Sequence, residues 1–194
     1  MHTFRSICVY CGSRHGRDPA YTAAARRLGR HLAQHNIRLI YGGGSVGLMG
    51  EVATAVMEAG GEVVGVIPQK LVDLEVGKTD LTELVVVPDM HARKKQMADR
   101  SDGFVALPGG YGTLEELFEA ITWTQLEYHR KPIGLLDVGG YYAPLIALLD
   151  HMVEQGFVRP AQRGIVQLDT EPGALLQRMG RARLPQLRRW MQDV

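Results

Sequence analysis

Short, continuously apolar runs recur along the chain, separated by longer stretches in which apolar residues return every three or four positions. The runs predict strands at Ser6–Tyr10, Arg38–Tyr41, Glu62–Ile67, Leu84–Val87, Gly103–Leu107, Ile133–Leu136 and Ile165–Leu168. Several show no polar alternation, Val85-Val86-Val87 among them, which is the pattern of strands covered on both faces. Helical spacing marks Tyr21–His35, Leu48–Ala59, Ala92–Arg100, Thr113–Tyr128 and Tyr142–Gln155. In the fourth of these, Leu114, Leu117, Phe118 and Ile121 form one apolar stripe. Alternation this regular predicts an α/β fold, an open parallel sheet of about seven strands with helices on both faces, in one domain over residues 1–194. From about residue 171 the chain turns basic. Arg178, Arg181, Arg183, Arg188 and Arg189 interleave with Leu184, Leu187, Trp190 and Met191, read as an amphipathic helix packed on the domain in preference to a nucleic-acid tail.

Composition changes this picture little. The 194 residues are 45% hydrophobic and 22% charged, with a net charge of +1, so the whole chain advertises neither a nucleic-acid nor a membrane partner. Met1 to Val9 lacks the basic and apolar regions of a signal peptide, and no apolar run approaches a membrane span; the expected location is cytoplasmic. The two cysteines form Cys8-Val9-Tyr10-Cys11. An offset of three within a strand sends the side chains to opposite faces, so structural thiols are expected in preference to a redox pair or a zinc site.

The chemistry-bearing residues gather where strands end. Gly12-Ser13-Arg14 follows the first strand, Gly42-Gly43-Gly44-Ser45 the second, Met90-His91-Ala92-Arg93-Lys94 the fourth and Pro108-Gly109-Gly110 the fifth. Open parallel sheets bind ligands beyond these carboxyl ends. Glycines, hydroxyls and cations in four such loops favour a phosphorylated ligand. Two nucleotide motifs fail on inspection. Gly42 to Gly47 fits G-x-G-x-x-G, but Glu62–Ile67 runs into Pro68-Gln69 with no carboxylate for a ribose hydroxyl. Gly77-Lys78-Thr79 imitates the end of a P-loop, with Val72 where the first glycine belongs.

The most informative stretch is Leu107-Pro108-Gly109-Gly110-Tyr111-Gly112-Thr113-Leu114-Glu115-Glu116. An apolar run stops at a proline, glycines follow, and a helical pattern begins. Helix N-termini offer unpaired N–H groups and a partial positive charge, a cradle for phosphate. Pro108 to Glu116 reads P-G-G-x-G-T-x-x-E and Met90 to Lys94 reads M-H-x-R-K. In these motifs the chain resembles the LOG ("lonely guy") family of nucleoside 5'-monophosphate phosphoribohydrolases, whose members are often labelled lysine decarboxylases. With Gly12-Ser13 and the triple glycine, the resemblance covers about Ile7 to Leu136.

The resemblance implies a Rossmann-like homodimer that hydrolyses the N-glycosidic bond of (N6-prenylated) adenosine 5'-monophosphate to free base and ribose 5-phosphate, without metal or organic cofactor. Carried over by motif, Arg93 and Glu116 form the catalytic pair. Gly110, Tyr111, Gly112 and Thr113 bind the phosphate; Lys94, Leu114, Glu115, Thr122 and Glu75 are further substrate contacts. The chemistry agrees: breaking a glycosidic bond builds positive charge on the sugar, which a carboxylate stabilises or relieves by activating water. Arginine is permanently charged and forked, suited to orienting that carboxylate.

Other readings of the same residues stay open. Thr113 to Glu116 also spells a capping box, with Glu116 bonding the Thr113 N–H. Arg93-Lys94-Lys95 could be a solvated face. Met90 and Met97 suit either an adenine or prenyl pocket or plain core, and Trp123 either a subunit interface or core. At the level of function, a non-catalytic nucleotide sensor or carrier and a pyridoxal-phosphate lysine decarboxylase are the competitors; the latter needs a Schiff-base lysine.

Overall fold

The computed structural model describes residues 3–74, 78 and 80–185. Their strands are β1 (Ser6–Tyr10), β2 (Arg38–Tyr41), β3 (Val63–Pro68), β4 (Glu83–Val87), β5 (Phe104–Ala106), β6 (Ile133–Leu136) and β7 (Val166–Asp169). All pair in parallel in one seven-stranded sheet, ordered β4-β3-β2-β1-β5-β6-β7. The chain winds outward from β1 to β4, then returns to the middle and winds the other way. Strand order therefore reverses between β1 and β5, where a crevice opens at the carboxyl ends.

The helices are α1 (Pro19–Gln34), α2 (Gly47–Glu58), α3 (Gln69–Leu74), α4 (Met90–Asp99), α5 (Tyr111–Gln125), α6 (Ala143–Glu154), α7 (Pro160–Arg163) and α8 (Pro172–Arg181). Helices α1, α2 and α8 cover one face through Leu28, Leu32, Val52, Leu175 and Met179. Helices α4, α5 and α6 cover the other through Met97, Leu117, Ala120 and Leu149. Alternate strand residues divide between these layers: Ile7, Val9 and Leu39 against the first, Cys8, Tyr10 and Ile40 against the second. Each such side chain, removed from water, contributes on the order of 1.5–3 kcal/mol. Cys8 and Cys11 fall in opposite layers, free and buried, and burial pushes both thiols up from their ordinary range. Opposite layers are what an offset of three along an extended segment implies.

Several boundaries depart from expectation for local reasons. Helix α4 begins at Met90 because the Asp89 carboxylate accepts the Ala92 N–H at 2.8 Å, a side-chain cap. Helix α5 begins at Tyr111, with Gly110 as its N-cap. Thr113 is thus the third helical residue, and the capping-box reading of Glu116 is wrong. The short α3 and α7 were not expected; α7 forms one turn opening on a proline. Among the described residues, no helix is long and apolar enough to cross a membrane.

Candidate active site

Arg93 is a buried cation held in a fixed attitude. The first turn of α4 carries it over the ends of β2 and β3. There its Nε donates to the Val66 carbonyl at 3.1 Å and Nη2 to the Gly42 carbonyl at 2.9 Å. Two main-chain acceptors lock the guanidinium plane, as its forked donors allow. Any side chain on Gly42 would occupy that seat, since a Cβ there would lie 1.8 Å from Arg93 Nη2. The remaining nitrogen, Nη1, faces Met90 Sδ at 3.8 Å and Glu116 Oε1 at 4.0 Å.

Glu116 projects from the second turn of α5. Its side chain is 13% exposed and that of Arg93 11%, so this is a charge pair largely withdrawn from water. Burial is the main influence on Glu116 and pushes its pKa up to about 7; Arg93 opposes the rise, while Glu115 and Glu119 add to it. At 4.0 Å the pair lies beyond direct hydrogen bonding, which limits how far Arg93 offsets desolvation. A carboxyl group poised near neutrality is matched to accepting a proton from water. Lys94, next along α4, takes a different route. Its Nζ meets Glu115 at 2.5 Å and Glu119 at 3.1 Å, joining α4 to α5 beside the pair.

The glycine turn after β5 forms the other wall. The Gly12 N–H donates to the Pro108 carbonyl at 3.1 Å, drawing the ends of β1 and β5 together. A Cβ on Gly109 would meet Thr113 Oγ1 at 2.1 Å and Gly12 N at 2.8 Å, so backbone packs on backbone here. Gly110 and Gly112 differ: nothing lies within 4 Å of a Cβ on either. Their open sides and the unpaired N–H groups of the first turn of α5 face outward, an anion-binding arrangement. A cavity of about 520 Å³ adjoins the turn, lined among others by Arg14, Tyr21, Tyr111 and Tyr141.

The structure therefore brings Arg93, Lys94, Glu115 and Glu116 together, next to the turn formed by Gly110, Tyr111, Gly112 and Thr113. Tyr111 is almost fully exposed, Thr113 is buried against Gly109, and Leu114 packs on the core beneath α5. Thr122 stands one turn beyond Glu119, on the face of α5 that meets Lys94. Six residues beyond Glu116, it lies about 9 Å further along the helix, its hydroxyl donating to the Phe118 carbonyl. Glu75 lies outside the described residues, as do Arg188 and Arg189. Met97 is core, whereas Met90 is half exposed at Arg93. Sequence reasoning missed three partners: Gly42 as the seat of Arg93, Glu119 as the second partner of Lys94, and Tyr141, which holds Gly109. Glu119 was findable, standing one turn after Glu115 on the same face. Among the described residues, no group of three or more His, Cys, Asp or Glu side chains is placed to hold a metal ion.

A parallel sheet whose carboxyl edge gathers an arginine–glutamate pair and an open glycine turn makes this an α/β protein with a ligand-type site, and comparison with known proteins narrows the class. Residues 49–179 match the family model described as "possible lysine decarboxylase". A probable cytokinin riboside 5'-monophosphate phosphoribohydrolase of Oryza sativa subsp. japonica is 52% identical over 91% of this chain and 72% of its own length. A cytokinin riboside 5'-monophosphate phosphoribohydrolase of Arabidopsis thaliana is 53% identical over 84% of this chain and 75% of its own. Among solved structures, the molybdenum cofactor carrier protein of Chlamydomonas reinhardtii superposes with a TM-score of 0.67 at 23% identity, covering 90% of this chain and 96% of that one. The molybdenum cofactor binding protein of Rippkaea orientalis gives 0.68, also at 23% identity, over 91% and 96%. The last two establish the shared fold. The chain belongs to the LOG family, the family of the cytokinin riboside 5'-monophosphate phosphoribohydrolases.

Proposed function

We propose that this protein hydrolyses the N-glycosidic bond of adenosine 5'-monophosphate, N6-prenylated or plain, releasing cytokinin or adenine and ribose 5-phosphate. The observation that carries the reading is Glu116, buried beside a locked arginine in the helix whose N-terminus forms the glycine turn. The 5'-phosphate binds the N–H groups of Gly110 to Thr113 and anchors the nucleotide. Remote binding of this kind positions the bond to be broken. As the bond from C1' to the base breaks, its electron pair leaves with the base, which takes up a proton from solvent. Water adds to C1' and gives a proton to Glu116, which returns it to solvent. Arg93 Nη1 orients the carboxylate; an oxygen of sugar or water bridging the 4.0 Å gap satisfies both groups. Lys94, Glu115, Thr122 and Glu75 complete the proposed substrate contacts.

A nucleotide sensor or carrier would need the turn alone. Glu116, withdrawn from water beside a locked arginine, costs stability that binding alone does not require, and the arrangement suits proton transfer. A Schiff-base role for Lys94 conflicts with its two carboxylate partners, which keep its ammonium charged. The reading also includes a homodimer, for which the exposed Leu126 and Tyr128 beyond the end of α5, next to half-buried Trp123, offer apolar surface. It includes a cytoplasmic location as well, which two free thiols suit.

Glu116→Gln is the test. The variant is expected to fold and bind AMP while base release falls about 10²–10⁴-fold, the usual worth of an acid–base group. In the wild type, kcat/KM for AMP should rise with pH through about 7, because the base must be unprotonated. Wild-type turnover by the variant would remove Glu116 from the mechanism.

A further inference from the structure

Gly139-Gly140-Tyr141-Tyr142 follows β6 and stands outside every motif discussed so far. Gly139 and Gly140 both take positive φ, 61° and 75°, where a side chain would be strained. The Asp137 carboxylate accepts the Tyr142 N–H at 2.9 Å and closes the turn. This preset segment delivers two hydroxyls to the end of β5. Tyr142, almost fully buried, donates to the Leu107 carbonyl at 2.6 Å. Tyr141, 38% exposed, donates to the Gly109 carbonyl at 2.5 Å. With Gly12 N–H on Pro108, three consecutive carbonyls of the glycine turn each have a donor from outside it.

The peptide unit is planar, so a held carbonyl also fixes the N–H of the following residue, pointing the opposite way. The three donors then differ in consequence. Holding Leu107 fixes no N–H, because Pro108 has none. Holding Pro108 fixes the N–H of Gly109, which is packed against Gly12 and Thr113. Holding Gly109 fixes the N–H of Gly110, the N-cap of α5, where the turn is open. Because Gly110 has no side chain to restrict it, an external clamp is the available means of setting this direction.

We propose that Tyr141 is a positioning residue: by holding the Gly109 carbonyl, its hydroxyl aims the Gly110 N–H at the phosphate of the substrate. Tyr142 is the anchor of the same segment. The inference rests on the phosphate site proposed above and adds a group that does not itself touch the reacting bond. Tyr141 also meets Tyr21 edge-on with centroids 5.8 Å apart, so a Phe ring at this position keeps its packing.

The experiment titrates ribose 5-phosphate into the wild type, Tyr141→Phe and Tyr142→Phe by calorimetry, alongside AMP kinetics and melting. Tyr141→Phe is expected to weaken ribose 5-phosphate binding and raise KM for AMP about three- to tenfold, the worth of one well-placed hydrogen bond. Its kcat, its pH profile and its melting temperature should stay near those of the wild type. Tyr142→Phe should lower the melting temperature and weaken binding less. Wild-type affinity in Tyr141→Phe, a fall in kcat at constant KM, or equal affinity losses in both variants would overturn the inference. If the wild type binds ribose 5-phosphate without releasing base from AMP, the affinity comparison still decides the role of Tyr141. If folded wild type binds no ribose 5-phosphate, the phosphate site and the inference fall together.

Discussion

Two glycine-rich turns close two strands of this sheet, and their jobs differ. Gly42-Gly43-Gly44 after β2 and Pro108-Gly109-Gly110 after β5 look alike in composition, and each is followed by a helix. In the first, the space over Gly42 is filled by the Arg93 guanidinium and the carbonyl is used to hold it. In the second, the carbonyls are turned inward onto donors while the space over Gly110 and Gly112 is open. One turn seats a protein cation; the other presents bare backbone. Glycine content therefore says that something approaches the chain closely, and only the surroundings say what.

Adding one methyl group to each turn separates these jobs. Gly42→Ala should have the larger effect, because its Cβ and Arg93 Nη2 claim the same space and the guanidinium is tied to Val66 as well. Displacing Arg93 is expected to cut base release about 10²-fold, as misplacement near reacting atoms does. Melting should also show a loss of about 2 kcal/mol from broken charge-assisted hydrogen bonds. Gly110→Ala meets open space and an ordinary φ of −92°. It should leave stability within about 1 kcal/mol, raise KM for AMP about tenfold and change kcat little. Equal effects of the two substitutions on melting would erase the distinction.

The buried charge of Glu116 sets the open turn apart from the Arg93 seat in a pH-dependent way. Glu116 is raised from its unfolded value to about 7, so the folded state holds its proton more tightly than the unfolded state does. Its contribution to stability therefore falls as pH rises from about 4.5 to 7, and the deficit is complete above that window. Glu116→Gln should be more stable than the wild type at pH 8, by up to about 3 kcal/mol, with no such gain at pH 4. Paired melting curves at the two pH values check this. A variant less stable at pH 8 would mean that Arg93 compensates the buried charge after all.

Much of the fold was legible because it rests on local pattern. Three strands, Ser6–Tyr10, Arg38–Tyr41 and Ile133–Leu136, occupy the residues their apolar runs marked, since burial on both faces leaves few polar ambiguities. The start of α5 was misjudged because Thr113 and Glu116 satisfy a capping pattern that the preceding glycines pre-empt. Helices α3 and α7, of six and four residues, are too short for a periodic signal. In the site, Arg93 and Glu116 were visible through their motifs, but the seat of Arg93 was not. Gly42 lies 51 residues from it, and only the pairing of β2, β3 and β4 brings the carbonyl within reach. The hold of Tyr141 on Gly109 spans 32 residues and depends likewise on β6 lying beside β5.

In the proposed reaction the open turn anchors a phosphate so that Arg93 and Glu116 can act on the glycosidic bond. The most direct test incubates the purified protein with AMP, prenylated AMP, the unphosphorylated nucleosides and lysine, and follows free base and carbon dioxide. Release of base from the monophosphates alone is the expected result. Base released as efficiently from the bare nucleosides, or carbon dioxide from lysine, would contradict it.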